Sequence, residues 1–261
     1  MSPHDASDAD ERASTARDVS ALLLGATGAV GKHVLRELIA SGEFTRVGEY
    51  GRRVTPIEHL GPNAQGKLEQ KTVDFEKIED AGLRDGKWDV VFITLGTTRA
   101  AAGSANAFEK IDREYTINSA RAAKTDDPSH EQRLVYVSSM GANTNSPFLY
   151  SKSKGLTENG LADLKYSDTI VFRPGFLANA QRPSTRLTES LAGSIIGFAS
   201  NVISGLQIDV STLGKAIVRS GFLGSEKLPS VAEATKAKTP GGAQFTIIGN
   251  RGAEKFANAP L

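Results

Sequence analysis

The run "LLLGATGAVGKHVL", residues 22 to 35, sets three glycines at intervals of three directly after an apolar stretch and directly before a helical pattern. A strand that turns on glycine into a helix presents helix N-terminal N–H groups and the positive dipole end to an anion. Glycine is needed there because a Cβ would hold a phosphate away from the backbone. Gly25 would make the turn, Gly28 would admit the close approach, and Gly31 would let the helix pack on the strand. Thr27 offers a hydroxyl donor, and Val30 is counted with them among the candidate cofactor-binding residues. The spacing GxxGxxG departs from the GxGxxG fingerprint, so its position between a leucine run and an amphipathic helix carries the argument.

The rest of the chain repeats that alternation. Short β-rich runs at Ser20 to Leu24, Arg46 to Tyr50, Glu69 to Asp74, Asp89 to Leu95, Leu134 to Ser138 and Thr169 to Arg173 predict strands. Helices are predicted at about Lys32 to Ser41, Ala107 to Lys124 and Pro147 to Leu164, with Ser146-Pro147 as N-cap and first helical position. Runs such as "DVVFITLG" are apolar without strict alternation, as expected of strands covered on both faces. The pattern is α/β, a doubly wound parallel sheet. Beyond Pro174 the periodicity loosens. An apolar stretch from Leu187 to Leu206, a helix Ser211 to Phe222 and a strand "AQFTIIG" suggest a small C-terminal substrate or lid region at about 180–261. The polar segment "SEKLPSVAEATKAKTPGG" reads as a surface loop.

Composition narrows the function classes. With 261 residues, 39% hydrophobic and 23% charged, the chain fits one large domain. A net charge of +1 gives no field to gather nucleic acid. Cysteine is absent, and His4, His33, His59 and His130 lack ligand spacing, so no metal site is expected. Residues 1–19 carry five acids and no apolar stretch, which predicts a disordered tail without an import signal. The Leu187 to Leu206 stretch contains Glu189 and several polar residues, and reads better as a pocket lid or dimer helix than as a membrane span.

At the second strand's end an NAD-preferring site usually places an acid to bond the ribose 2′-OH. This chain has "EYGRR". Arg52 and Arg53 can grip a 2′-phosphate by charge-assisted bonds, which favours NADPH. Two alternatives stand beside this: Glu49 faces the ribose, or the arginines are only solvated. Asp74 at the third strand's end is placed to bond the adenine amine, and Leu95, Gly96 and Thr97 put backbone beside the cofactor at the fourth.

"SPFLYSKSKG" sets Tyr150 and Lys154 four residues apart, on one helix face. A phenol ionises near pH ~10, and a nearby ammonium makes it a better proton shuttle at neutral pH. Tyr150 would act as general acid in carbonyl reduction, with Lys154 tuning it and bonding the nicotinamide ribose. Ser139, in "VYVSSMG", would hold the substrate oxygen, with Ser138 the less favoured choice. Gly155 and Gly160 inside that helix predict close packing. Asn118 is either a site residue or a plain polar helix residue.

The segments "GATGAVG", "GRR", "VDFEKIED", "LGTTRAAAG", "KIDREYTINSARAAK", "VSSMGAN", "FLYSKSKG" and "FRPGFL" occur in this order over about residues 20 to 180. Together they resemble the atypical short-chain dehydrogenases, and within them the group of the Tat-interacting tumour-suppressor oxidoreductase of animals and its fungal counterparts. The resemblance implies a Rossmann-like fold, bound NADPH, reductase activity on a small carbonyl substrate, and a peripheral place on the mitochondrial outer membrane. The Ser139 to Tyr150 interval is shorter than in mainstream members. A nucleotide-sensing protein that binds NADPH without chemistry is the competing implication.

Overall fold

The computed structural model describes residues 18–180 and 206–260. The predicted tail, apart from its last two residues, and nearly all of the Leu187 to Leu206 stretch lie outside them. The strands are β1 (Val19–Leu24), β2 (Phe44–Gly51), β3 (Leu68–Thr72), β4 (Val90–Ile93), β5 (Arg133–Val137) and β6 (Asp168–Arg173), followed by β7 (Phe176–Ala178), β8 (Gln207–Asp209), β9 (Thr235–Lys238) and β10 (Gln244–Gly249). The main sheet runs β3-β2-β1-β4-β5-β6-β10-β9, parallel throughout except where β9 meets β10. Strand order reverses between β1 and β4, which puts the crevice of a doubly wound sheet at their carboxyl ends.

Period-two alternation sends successive β1 side chains to opposite layers. Ala21 and Leu23 join a core with Val34, Leu35 and Leu38 of α1 (Gly31–Ala40), and with Leu213 and Ile217 of α6 (Val210–Leu223). That layer also holds Phe256 of α7 (Asn250–Asn258). Leu22 and Leu24 face the other core, with Trp88, Tyr136, and Ala120 of α4 (Tyr115–Ala123). Leu161 of α5 (Leu149–Ala162) completes that side. Both faces are therefore covered, which explains the near-continuous apolar runs in the strands.

The helix expected from Ala107 to Lys124 is present: residues 105–123 are helical without a break, as α3 (Ala105–Glu109), a π-turn over Lys110–Glu114 and α4, with the short α2 (Arg99–Ala102) ahead of it. Three other sequence expectations are corrected. The helix expected to start at Pro147 starts at Leu149 with Phe148 as N-cap, because Ser146 is used in a turn with Asn143 and its Oγ accepts from Phe148 N at 3.2 Å. The segment expected as a loop contains β9. It pairs antiparallel with β10 through a Thr239–Ala243 turn, its exposed lysines suiting a sheet edge. Residues 206–260 supply β10, α6 and α7 to the main body, so within the expected lid region they are core rather than cover. Among the described residues no helix is long and apolar enough to cross a membrane.

Trp88 locks the core on the Leu22 and Leu24 face of the sheet. It is fully buried, donates Nε1–H to Leu83 O at 3.0 Å, and meets Tyr50 edge-on at 6.1 Å. Trp88→Ala is expected to cost about 3–5 kcal/mol, read from urea denaturation. A change within about 0.5 kcal/mol would contradict this packing.

Candidate active site

The glycine turn closes around a space that side chains cannot share. Gly25 has φ of 95°, and a Cβ there would lie 2.8 Å from Thr94 Oγ1 and 2.9 Å from Leu95 N. At Gly31 a Cβ would stand 2.0 Å from Gly25 O, so α1 approaches the turn only because this residue is glycine. Gly28 N donates to Gly25 O at 3.0 Å, and Gly28 and Thr27 are open to solvent. Val30 is buried at the N-cap of α1. Thr94 binds Leu24 O through its N–H at 2.9 Å and its hydroxyl at 3.1 Å, which brings Leu95, Gly96 and Thr97 alongside the turn. The cradle fits a diphosphate: it has an open glycine edge and a helix start.

Arg52 and Arg53 follow β2 and are exposed, with no ion pair among the described residues. Glu49 is fully buried and bonded to Thr55 and Gln70, so it does not face a ribose. Asp74 follows β3, exposed, with Oδ1 accepting from Glu76 N at 3.0 Å. Arg52, Arg53 and Asp74 thus follow the carboxyl ends of β2 and β3, on the same side of the sheet as the glycine turn.

Tyr150 and Lys154 form a second group. Both project from the first turns of α5, with the Lys154 Nζ 6.0 Å from the Tyr150 ring centre. Tyr150 is 42% exposed and Lys154 only 4%. Gly155 seats α5 against the backbone of Asn143 and Thr144, and Gly160 against Ile117, where a Cβ would come within 2.5 Å in each case. The Lys154 ammonium lies 3.0 Å from Asp112 Oδ1 and donates to Tyr136 Oη at 3.0 Å. Burial disfavours the ammonium, but Tyr136, Asp112 and Tyr150 together outweigh it and hold Lys154 above the ordinary lysine range. Burial pushes the Tyr136 phenol up, against the pull of Lys154, and so keeps it neutral.

Asp112 and Tyr136 were not singled out from the sequence. Asp112 sits in the π-turn, whose wider winding interrupts the α-helical ladder, and its carboxylate is fully buried. A carboxylate in the middle of an expected helix was the available signal, but only packing shows which way it turns. Ser138 and Ser139 follow β5, and neither buried Oγ has a hydrogen-bond partner among the described residues. Asn118 accepts from Arg121 at 2.7 Å on α4, the behaviour of a polar helix residue.

A reversed strand order with a glycine turn at its switch point defines an α/β protein of the doubly wound, dinucleotide-binding type. A family model described as NAD(P)H-binding matches residues 25–204. "Protein HTATIP2" of Rattus norvegicus is 36% identical over 202 residues, covering 77% of this chain and 80% of that protein. "Protein FMP52, mitochondrial" of Candida albicans is 34% identical, over 77% and 86% of the two chains. The chain belongs to this NAD(P)H-binding family, together with these relatives. Among solved structures, a short-chain dehydrogenase/reductase from Serratia marcescens shares the fold, with TM-score 0.55 and 15% identity over 78% of this chain and 90% of that one.

Removing one partner of a buried ion pair leaves the other charge uncompensated. Asp112→Ala is expected to destabilise the protein by about 3–5 kcal/mol in urea unfolding, and Asp112→Asn by less because an acceptor remains. Equal stability of Asp112→Ala and wild type would mean that Lys154 is not held by this carboxylate.

Proposed function

We propose that the protein reduces a small carbonyl compound with NADPH. The observation that carries the reading is a half-exposed Tyr150 phenol on the same helix face as a buried, charge-paired Lys154. A bound nicotinamide supplies the hydride. Tyr150 gives its phenolic proton to the carbonyl oxygen as that oxygen gains negative charge. Lys154 cannot wander, since Asp112 and Tyr136 fix its ammonium. It stabilises charge on the phenol and holds the nicotinamide ribose. Ser139, whose Oγ is buried with no hydrogen-bond partner among the described residues, is the group we assign to hold the substrate oxygen. At the other end, exposed Arg52 and Arg53 support the phosphorylated coenzyme over NADH, and Asp74 bonds the adenine. The competing reading of a binding-only protein is disfavoured by retention of both the phenol and the ammonium.

The location we assign is peripheral, on the cytosolic face of the mitochondrial outer membrane. Its support is the resemblance together with fungal relatives whose names carry the word mitochondrial.

Hydride transfer is followed as loss of NADPH absorbance across a panel of aldehydes and ketones. Tyr150→Phe should lower kcat about 10²–10⁴-fold while leaving the thermal stabilisation by NADPH intact. A Tyr150→Phe protein as fast as wild type would remove the assigned acid. On isolated mitochondria the protein should be released by alkaline carbonate and digested by added protease. Protection from protease with the outer membrane intact would overturn the location.

A further inference from the structure

Glu49 lies two residues before the end of β2, near where an acid can meet a ribose, yet it is turned inward. Its Oε1 accepts from Thr55 N at 2.8 Å and Thr55 Oγ1 at 2.7 Å, and its Oε2 accepts from Gln70 Nε2 at 2.6 Å. Gln70 Nε2 also donates to Thr55 O at 2.6 Å, so β2, β3 and the following loop close into one ring of bonds. The start of that loop is fixed as well, by Val73 N donating to Gly51 O at 2.9 Å. Arg52 and Arg53 lie between these two anchors.

The pinned loop is also a wall. Val54, Thr55 and Pro56 line one side of a cleft of about 280 Å³, and Thr27, Lys32 and Arg36 line the side formed by the glycine turn and α1. Fixing Thr55 therefore fixes the span between the loop and the turn. A buried carboxylate is tolerable only when its oxygens are hydrogen-bonded, and here three donors satisfy it without a cation.

We infer that Glu49 is a specificity-positioning residue: it withdraws the acid from the ribose and holds the Arg52–Arg53 loop at the spacing that a 2′-phosphate requires. Holding a loop in its bound shape spares the ordering cost of binding. This concerns only the phosphorylated end of the coenzyme, since NADH has nothing for the arginines to hold. The inference rests on the NADPH reading above.

Calorimetric titration of the full chain with NADPH and with NADH tests it. Glu49→Gln keeps the volume but turns an amide N–H₂ toward the donors of Thr55 or Gln70, which breaks the ring. NADPH affinity should fall about tenfold with NADH affinity unchanged, whereas a merely structural role would lower both together. If Glu49→Gln does not fold, Thr55→Val removes a single bond and should narrow the NADPH to NADH ratio about threefold. A wild type that binds both coenzymes equally overturns the NADPH reading and the inference with it. A wild-type preference that persists unchanged in the variants overturns the inference alone.

Discussion

The arrangement depends on how closely α1 approaches the turn that follows β1. Gly31 stands so near Gly25 O that no side chain fits, and Thr94 of the neighbouring β4 end closes on Gly25 from the other side. Three elements thus converge on one short stretch of backbone. Backbone packed against backbone leaves the helix start open to a ligand instead of covered by side chains. It also fixes the angle at which α1 leaves the sheet, and through α1 the seat of α6, whose Gly214 packs against His33.

The two ends of the crevice solve different electrostatic problems. At the arginine end the charges stay in water, and what is buried is an acid, Glu49, whose hydrogen bonds shape the loop. At the Tyr150 end the cation itself is buried. Desolvating an ammonium is costly, and Asp112 offsets that cost only because the π-turn brings it inward to within 3.0 Å of Lys154. Tyr136 Oη accepts a further hydrogen bond from the same ammonium and is itself kept neutral by burial. The result is a fixed positive charge beneath a phenol that still reaches solvent, an arrangement suited to proton delivery without movement of the helix.

How far the chain could be read depended on the range of the interaction involved. The βαβ order, the glycine turn, the Tyr150 and Lys154 pairing and the close packing at Gly155 and Gly160 follow from spacing along a few residues. Strand and helix periods convert that spacing directly into shared faces. The boundaries were less legible, since the start of α5 is moved by a turn at Asn143 that uses up Ser146. The exposed lysines of β9 likewise hid an edge strand that forms only because β10 lies beside it.

The sequence by itself determined the layer architecture and the glycine turn, because hydrophobic period and glycine placement act locally. Only the tertiary structure decided what the buried polar groups do. Asp112 pairs with Lys154 across 42 residues of chain, and Glu49 turns from the crevice toward Thr55 and Gln70 on the adjoining loop and strand. Such choices are set by the need of each buried charge or donor for a partner, and that partner is known only once distant segments have packed.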